Sequence, residues 1–435
     1  AIDLAKRQGV EAEAFLLHDR ELSIEVINAE VETLKEAEEI GLGIRVINKG
    51  RLGFAYTSDL SDSAIKEVVA DAVSISKYTA ADENNILPPK QPAYPDLQIY
   101  DSEIPDTTLN EKIRLAAETE KVAKDFDKRI TIIERAGYEE NEYSSLIMNS
   151  NDLYAYSKGN SSGIYIVLVA EDEKDAQSGF SVMIKKHINQ LKPELVGQEA
   201  AQKALRSLNA RKIKSGRLPC IMEQYVVVSF MSMLAQMVNA EAVQKGKSLF
   251  ASQKGQLVAQ RGFSLIDDGT YEGGIGSFPF DGEGVAARRN IVVKNGILQD
   301  FIYDTYTAQK AGTVSTGNGQ RGSFRGLPAV GTTNFIIQPG NQSPRKLIKE
   351  INKCFYITGV MGMHTANPIS GDFSVGASGL MIANGELTYP VRGVTIAGNM
   401  LEFLKDIDEM GNDLRFFGSR AAPTIRLKSL SISGE

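Results

Sequence analysis

Two periodicities divide this chain. In some stretches apolar and polar residues alternate, and in others apolar residues recur every three or four positions. The first pattern marks a half-buried strand and the second a helix with one buried face. Leu22, Ile24 and Val26 alternate with Ser23 and Glu25, so strands are expected at 12–18 and 22–29. The charged stretch 31–40 fits either a helix or the charged edge of a sheet. A hairpin about Asn48-Lys49-Gly50 joins 41–48 to 51–58. Helices are expected at 2–8, 62–76 and 108–126. The second gathers Ile65, Val68, Val69, Ala72 and Val73 on one face, with Asp59 or Ser61 to cap it. The third opens with Thr107 and Thr108 before Glu111, the spacing of a capping pair. Between them Pro88, Pro89, Pro92 and Pro95 require an extended connection, because proline lacks the N–H a helix needs. Strands at 130–138, 143–149, 154–158, 163–171 and 177–188 follow, then a helix at 195–208.

In the second half, 218–222 reads as a buried strand. The stretch 224–243 reads as one long apolar helix, since Val227, Phe230, Met231, Leu234, Met237 and Val238 fill most of its surface. Two glycine-punctuated stretches come next, 277–317 and 372–413. Asn295-Gly296 and Asn384-Gly385 are two-residue hairpin turns, whose central positions must take positive φ. They join 291–293 to 297–302 and 380–383 to 387–391. A strand at 395–397 and a helix at 400–410 complete a meander. The fold class is α+β in two domains. Residues 1–194 form an N-terminal domain of antiparallel strands and helices, and 195–216 a connecting helix and linker. Residues 217–435 form a β-rich domain, meander-like or barrel-like, that includes the long apolar helix.

Composition narrows the function. At 435 residues two cores are expected. The net charge of −7 argues against direct nucleic-acid binding, which needs a basic surface. The basic run of Arg206, Arg211, Lys212, Lys214 and Arg217 reads as a solvated linker. Cys220 and Cys354 are the two cysteines, far apart in sequence. No disulfide framework is expected from them, and a reducing cytoplasm is the expected location. No leader-like pattern opens the sequence and no apolar run reaches the ~18 residues of a membrane span. Gly273-Gly274-Ile275-Gly276 lacks the Lys-Ser/Thr of a phosphate loop. Ser374 has no histidine set near it as a base, and His364 with Cys354 or Asp372 falls short of a metal-ligand set.

The two glycine-punctuated stretches together resemble the TldD/PmbA family, in which PmbA is also called TldE and which was once described as modulators of DNA gyrase. The matching pieces of the first are Asp281-Gly282-Glu283-Gly284-Val285, Arg288-Arg289, Asn295-Gly296, Asp304-Thr305-Tyr306-Thr307-Ala308 and Ser315-Thr316-Gly317-Asn318. Those of the second are 371–379, Asn384-Gly385-Glu386, Pro390-Val391, 395–399 and Gly411-Asn412-Asp413. The N-terminal half matches more loosely through 41–61, and the resemblance favours a strand for 31–40.

In the TldD branch the helix corresponding to 224–243 carries an HExxxH pattern, with a further cysteine ligand near the C-terminus. That spacing sets two imidazoles on one face and a glutamate as general base. This chain has Ser229, Met231, Ser232, Met233, Gln236 and Met237 there, and no cysteine after Asp413. Its three histidines, His18, His187 and His364, lie far apart in sequence. The resemblance therefore implies the PmbA/TldE branch: no cofactor or metal in this chain, and zinc in a TldD-like partner. It implies a subunit that shapes a cavity for unfolded or short peptides, or that forms a homodimer when alone. Arg288, Arg289, Asp304, Tyr306, Asn318 and Asp372 are the candidates to meet peptide or partner. Each can equally satisfy a turn or a buried polar group. The alternatives are a non-enzymatic protein-binding regulator and a stand-alone hydrolase.

Overall fold

The computed structural model describes residues 1–435. A short helix, α1 (Ile2–Arg7), leads into an antiparallel meander of β1 (Glu11–Ile27), β2 (Glu30–Asn48) and β3 (Arg51–Thr57), followed by α2 (Asp62–Ser76). Ser61 Oγ caps α2 by accepting from the Ala64 N–H. The proline-rich connection is extended as expected and ends at α3 (Glu103–Asp106) and α4 (Leu109–Phe126), which opens with a Thr108–Glu111 capping box. A second meander follows: β4 (Ile130–Asn149), β5 (Tyr154–Glu171) and β6 (Ala176–Lys185). The two meanders form one six-stranded sheet in the order β3-β2-β1-β4-β5-β6.

These strands are longer than the sequence suggests. The polar residues at 19–21, 139–142 and 159–162 look like turns, but they are opposite one another in mid-sheet. Asp19 is paired with Tyr143, Glu21 with Asn141, and Glu142 with Asn160. They form one polar band across three neighbouring strands. The stretch 31–40 is strand rather than helix. It runs along the sheet margin, and its exposed charges suit an edge that must not pair with another chain.

The two faces of β1 are divided by parity. Ala12, Ile24 and Val26 are buried against the helices, while Phe15 packs toward the second half of the chain. Helix α5 (Pro193–Leu205) lies on β5 and β6 and leads to the linker. The linker is solvated as expected at Arg211, Lys212, Lys214 and Arg217, which are all exposed, and it is tied down at two points. Arg206 forms two 2.7 Å bonds to Glu223, and the Arg211 guanidinium stacks 5.0 Å from the Tyr389 ring centre.

The second half begins with β7 (Gly216–Met222) and α6 (Gln224–Val238). The expected helix over 224–243 is broken at Asn239, so no single long apolar helix forms. The Asn239 side chain accepts from the Glu241 and Ala242 N–H groups and starts a separate helix, α7 (Ala240–Gln244). Next come β8 (Leu265–Asp268), β9 (Arg289–Lys294), β10 (Ile297–Leu298), α8 (Thr305–Lys310), β11 (Gly319–Gln320), β12 (Ala329–Val330), β13 (Phe335–Ile337) and α9 (Pro344–Lys349). Then β14 (Lys353–Met361), β15 (Asp372–Ala383) and β16 (Glu386–Asn399) precede α10 (Met400–Lys405). The chain ends with β17 (Ile407–Met410), β18 (Arg415–Phe417), β19 (Arg420–Ala422) and β20 (Ile425–Ser433).

Strands β16-β15-β14-β7-β20 close into a five-stranded barrel through a β16–β20 pairing, with β17 added beside β20. A second sheet runs β10-β9-β8-β13-β19-β18. The expected helix 400–410 stops at Lys405. Ile407 and Met410 are three apart and suit a helix, but Ile407–Met410 pairs with β20 instead. No helix is long and apolar enough to cross a membrane.

Candidate functional site

The first sheet and the second half meet along a seam of buried charge. Arg45 on β2 donates to Glu13 at 2.6 Å and to Glu283 at 3.1 Å. Arg321 donates to the other oxygen of Glu13 and to the Gly282 carbonyl. Glu283 also accepts the Thr305 N–H at 2.7 Å, at the start of α8. Burial works against the Arg45 charge, but the carboxylates of Glu13 and Glu283 outweigh it and hold its pKa above the ordinary value. Asp281 lies in the same motif and accepts N–H groups from Glu283, Val285 and Gly319. Burial, and then the charge of Glu283, still push its pKa up. Neighbouring Gly284 takes φ +80° against Leu153 of the first half. Within the Asp281–Val285 piece, Glu283 and Gly284 thus meet the first half, while Asp281 and Gly282 are held by 319–321 and Val285 by its own loop.

The expected contact residues gather on this side of the molecule, except one. Asp304 caps α8 by accepting from Thr307. Tyr306 donates to Asp82 at 2.7 Å, and both Asp304 and Tyr306 line a cavity of about 250 Å³ beside Arg45 and Glu283. Asn318 is fully buried and donates to Asp267 and to the Gly331 carbonyl. Arg288 is exposed and donates to the Ser315 carbonyl, and Arg289 lies 3.7 Å from Asp268. Asp372 is elsewhere, at the start of β15, where it accepts from Asn399 at 2.8 Å. Of the six, only Asp304 and Tyr306 share a cavity. The sequence offered no signal for Glu13, Arg45 and Arg321, because their partners are distant in the chain.

A larger groove, about 810 Å³, separates two sheet margins. One wall is Val182–Lys185 of β6, the last strand of the first sheet; another is 414–418, which contains β18, the last strand of the second sheet. The floor includes the Gly273-Gly274 turn, where Gly273 takes φ +69° and a side chain on Gly274 would strike Asn334.

Three domain models of one family match the chain in order. They are the PmbA/TldA metallopeptidase domain 1 at residues 12–76, the central domain at 102–208 and the C-terminal domain at 215–434. The chain belongs to the PmbA/TldD family. It is 28% identical to the metalloprotease PmbA of Escherichia coli and to a PmbA homologue of Haemophilus influenzae, covering 100% of this chain and 95% and 94% of those proteins. A Thermotoga maritima structure named as a proposed modulator of a DNA gyrase superposes with a TM-score of 0.92 at 28% identity, over 99% of this chain and 98% of that one. The TldE structure of Thermococcus kodakarensis has the same fold, with a TM-score of 0.92 at 24% identity over 100% and 99% of the two chains.

A metallopeptidase family implies a metal, and the donors here do not fit one. The less buried face of α6 carries Tyr225, Ser229, Ser232 and Gln236. Both serine hydroxyls donate back to the helix's own carbonyls, at Tyr225 and Ser229. His18 is bonded to Glu38, His187 lies 3.7 Å from Asp101, and His364 sits in a short turn of helix. No three His, Cys, Asp or Glu side chains are grouped to hold an ion. Zinc needs imidazole, thiolate or carboxylate in such a group.

Proposed function

We propose that this chain is the metal-free, PmbA/TldE-type subunit of a two-chain zinc peptidase acting on unfolded or short peptides in the cytoplasm. A TldD-like partner carries the zinc, and this chain shapes the peptide cavity. The observation that carries this reading is a family fold matched from end to end in which α6 offers hydroxyls and an amide where a metal helix needs imidazoles. The groove between β6 and β18 supports the peptide role. Marginal strands can add an extended peptide through backbone hydrogen bonds, a mode that tolerates varied sequences. Arg288, exposed on the same half of the chain, is a candidate contact to partner or peptide.

The test compares casein cleavage by this chain alone, by a zinc-bearing TldD-type chain alone, and by the mixture. Chelator-sensitive activity is expected from the mixture alone. Cleavage by this chain by itself would overturn the assignment. A stable complex without cleavage would favour a protein-binding regulator. Arg288→Ala is expected to keep the wild-type melting temperature and to lower cleavage by the mixture several-fold; unchanged cleavage would remove Arg288 as a contact to partner or peptide.

A further inference from the structure

The polar band of the first sheet covers a second cavity, about 350 Å³, on the face opposite the helices. Phe15, Ile147, Phe278 and Phe280 give it apolar walls, and Tyr143 and Lys186 line it as well. Lys186 follows β6 directly and is 3% exposed. Its ammonium makes no ion pair; the Phe278 ring centre lies 5.9 Å away. The Tyr143 hydroxyl, also buried, lies over Gly159 of β5 and beside the Ser157 hydroxyl.

The other charged side chains around this cavity are already engaged. Arg321 is held by Glu13 and two carbonyls, Asp281 by three N–H groups, and Asp19 by Asn141 at 2.7 Å. A buried charge is retained in proteins when something pairs with it, since an unpaired one costs several kcal/mol. No side chain pairs with Lys186, so its ammonium is left to the solvent of the cavity or to an anion bound there. Lys186 is the one cation without an ion-pair partner in this lining, since Arg321 is held by Glu13, and a lone ammonium suits a single negative charge better than a phosphate dianion. The aromatic walls suit an apolar body, and the volume suits a small molecule.

We propose that this cavity binds a small monocarboxylate with an apolar body, its charge set against the Lys186 ammonium. Such a group is carried by a free carboxylic acid or by the last residue of a peptide. The site does not depend on a zinc-bearing partner, so this full chain is tested alone. Calorimetric titration would compare 3-phenylpropionate, N-acetylphenylalanine and N-acetylphenylalanine amide.

At least one acid is expected to bind saturably and about tenfold or more tighter than the uncharged amide, a difference that a single charge contact supplies. Preference for N-acetylphenylalanine assigns the site to peptide ends, and preference for 3-phenylpropionate to free acids. Lys186→Met is expected to lose about tenfold or more in acid affinity while melting no lower than wild type. Equal binding of acid and amide, no binding of either acid at millimolar concentration, or undiminished binding by Lys186→Met would overturn the proposal. If Lys186→Met does not fold, Lys186→Gln takes its place, and the acid-to-amide comparison on wild type decides without any variant.

Discussion

At the residue scale, Lys186 has a consequence for stability in the unliganded chain. Burial lowers its pKa from the ordinary 10.5 to about 8. Below about pH 8 both folded and unfolded chains carry the proton, and the folded chain bears the full cost of a buried charge. Between about pH 8 and 10.5 the unfolded chain binds more protons than the folded one, so this group makes stability rise with pH. Above that window both forms are neutral and the cost is gone. Lys186→Met is therefore expected to exceed wild type in unfolding free energy by about 2–3 kcal/mol at pH 7, allowing for relaxation around the charge. The gap should close between about pH 8 and 10.5. Urea denaturation at pH 7 and pH 10 measures it, and a gap that does not change with pH would mean that the ammonium is not what the substitution relieves.

At the element scale, the barrel depends on close backbone approach, and the glycines do not contribute equally. Gly398 lies in the 395–399 piece of the second glycine-punctuated stretch. The structure shows that a β-carbon there meets the Phe373 ring at 2.9 Å, a side chain that can move. At Gly379, beside a register shift between β14 and β15, a β-carbon would fall 1.9 Å from the Tyr356 carbonyl oxygen, which cannot move without breaking the ladder. Gly379→Ala is expected to cost about 1–3 kcal/mol, the range of overpacked sites. Gly398→Ala should cost clearly less, and Gly398→Val should fall between them. Thermal melts of the three variants rank them; Gly398→Ala at or below Gly379→Ala in melting temperature would refute the ranking.

What was legible at this scale was local. Helices α2 and α4 declare themselves because period and cap lie within a few residues of each other, at Ser61 and at Thr108–Glu111. The long strands did not, because a polar triplet such as Asp19-Arg20-Glu21 looks like a turn unless its cross-strand partners are known. The ends of α6 and α10 were missed because apolar spacing continues past Asn239 and Lys405, while the cap and the strand pairing that stop them are set by tertiary structure. Lys186, between Lys185 and His187, reads as one of several charges at a strand end.

At the scale of the whole molecule, the halves are joined by pairs that no local reading could find. Arg45 and Glu283 are 238 positions apart, and Arg45 and Glu13 are 32 apart. Around them Phe15, Ile147, Leu153 and Ala155 from the first half pack on Phe280 and Phe324 from the second half. The apolar contacts give the seam adhesion, and the ion pairs give it register, because a slipped seam would strand buried charges. Arg45→Met should cost about 3–5 kcal/mol, the range seen when one partner of a buried pair is removed. Glu283→Gln should cost less, since Arg45 keeps Glu13 and the Thr305 N–H keeps an amide oxygen as acceptor. The two substitutions together should cost less than their sum, by more than about 1 kcal/mol, because the second removes a carboxylate the first has already left unpaired. Denaturant unfolding of the two single variants and the double variant measures that coupling. Additivity within about 0.5 kcal/mol would mean that Arg45 and Glu283 act independently, and that apolar packing alone sets how the two halves meet.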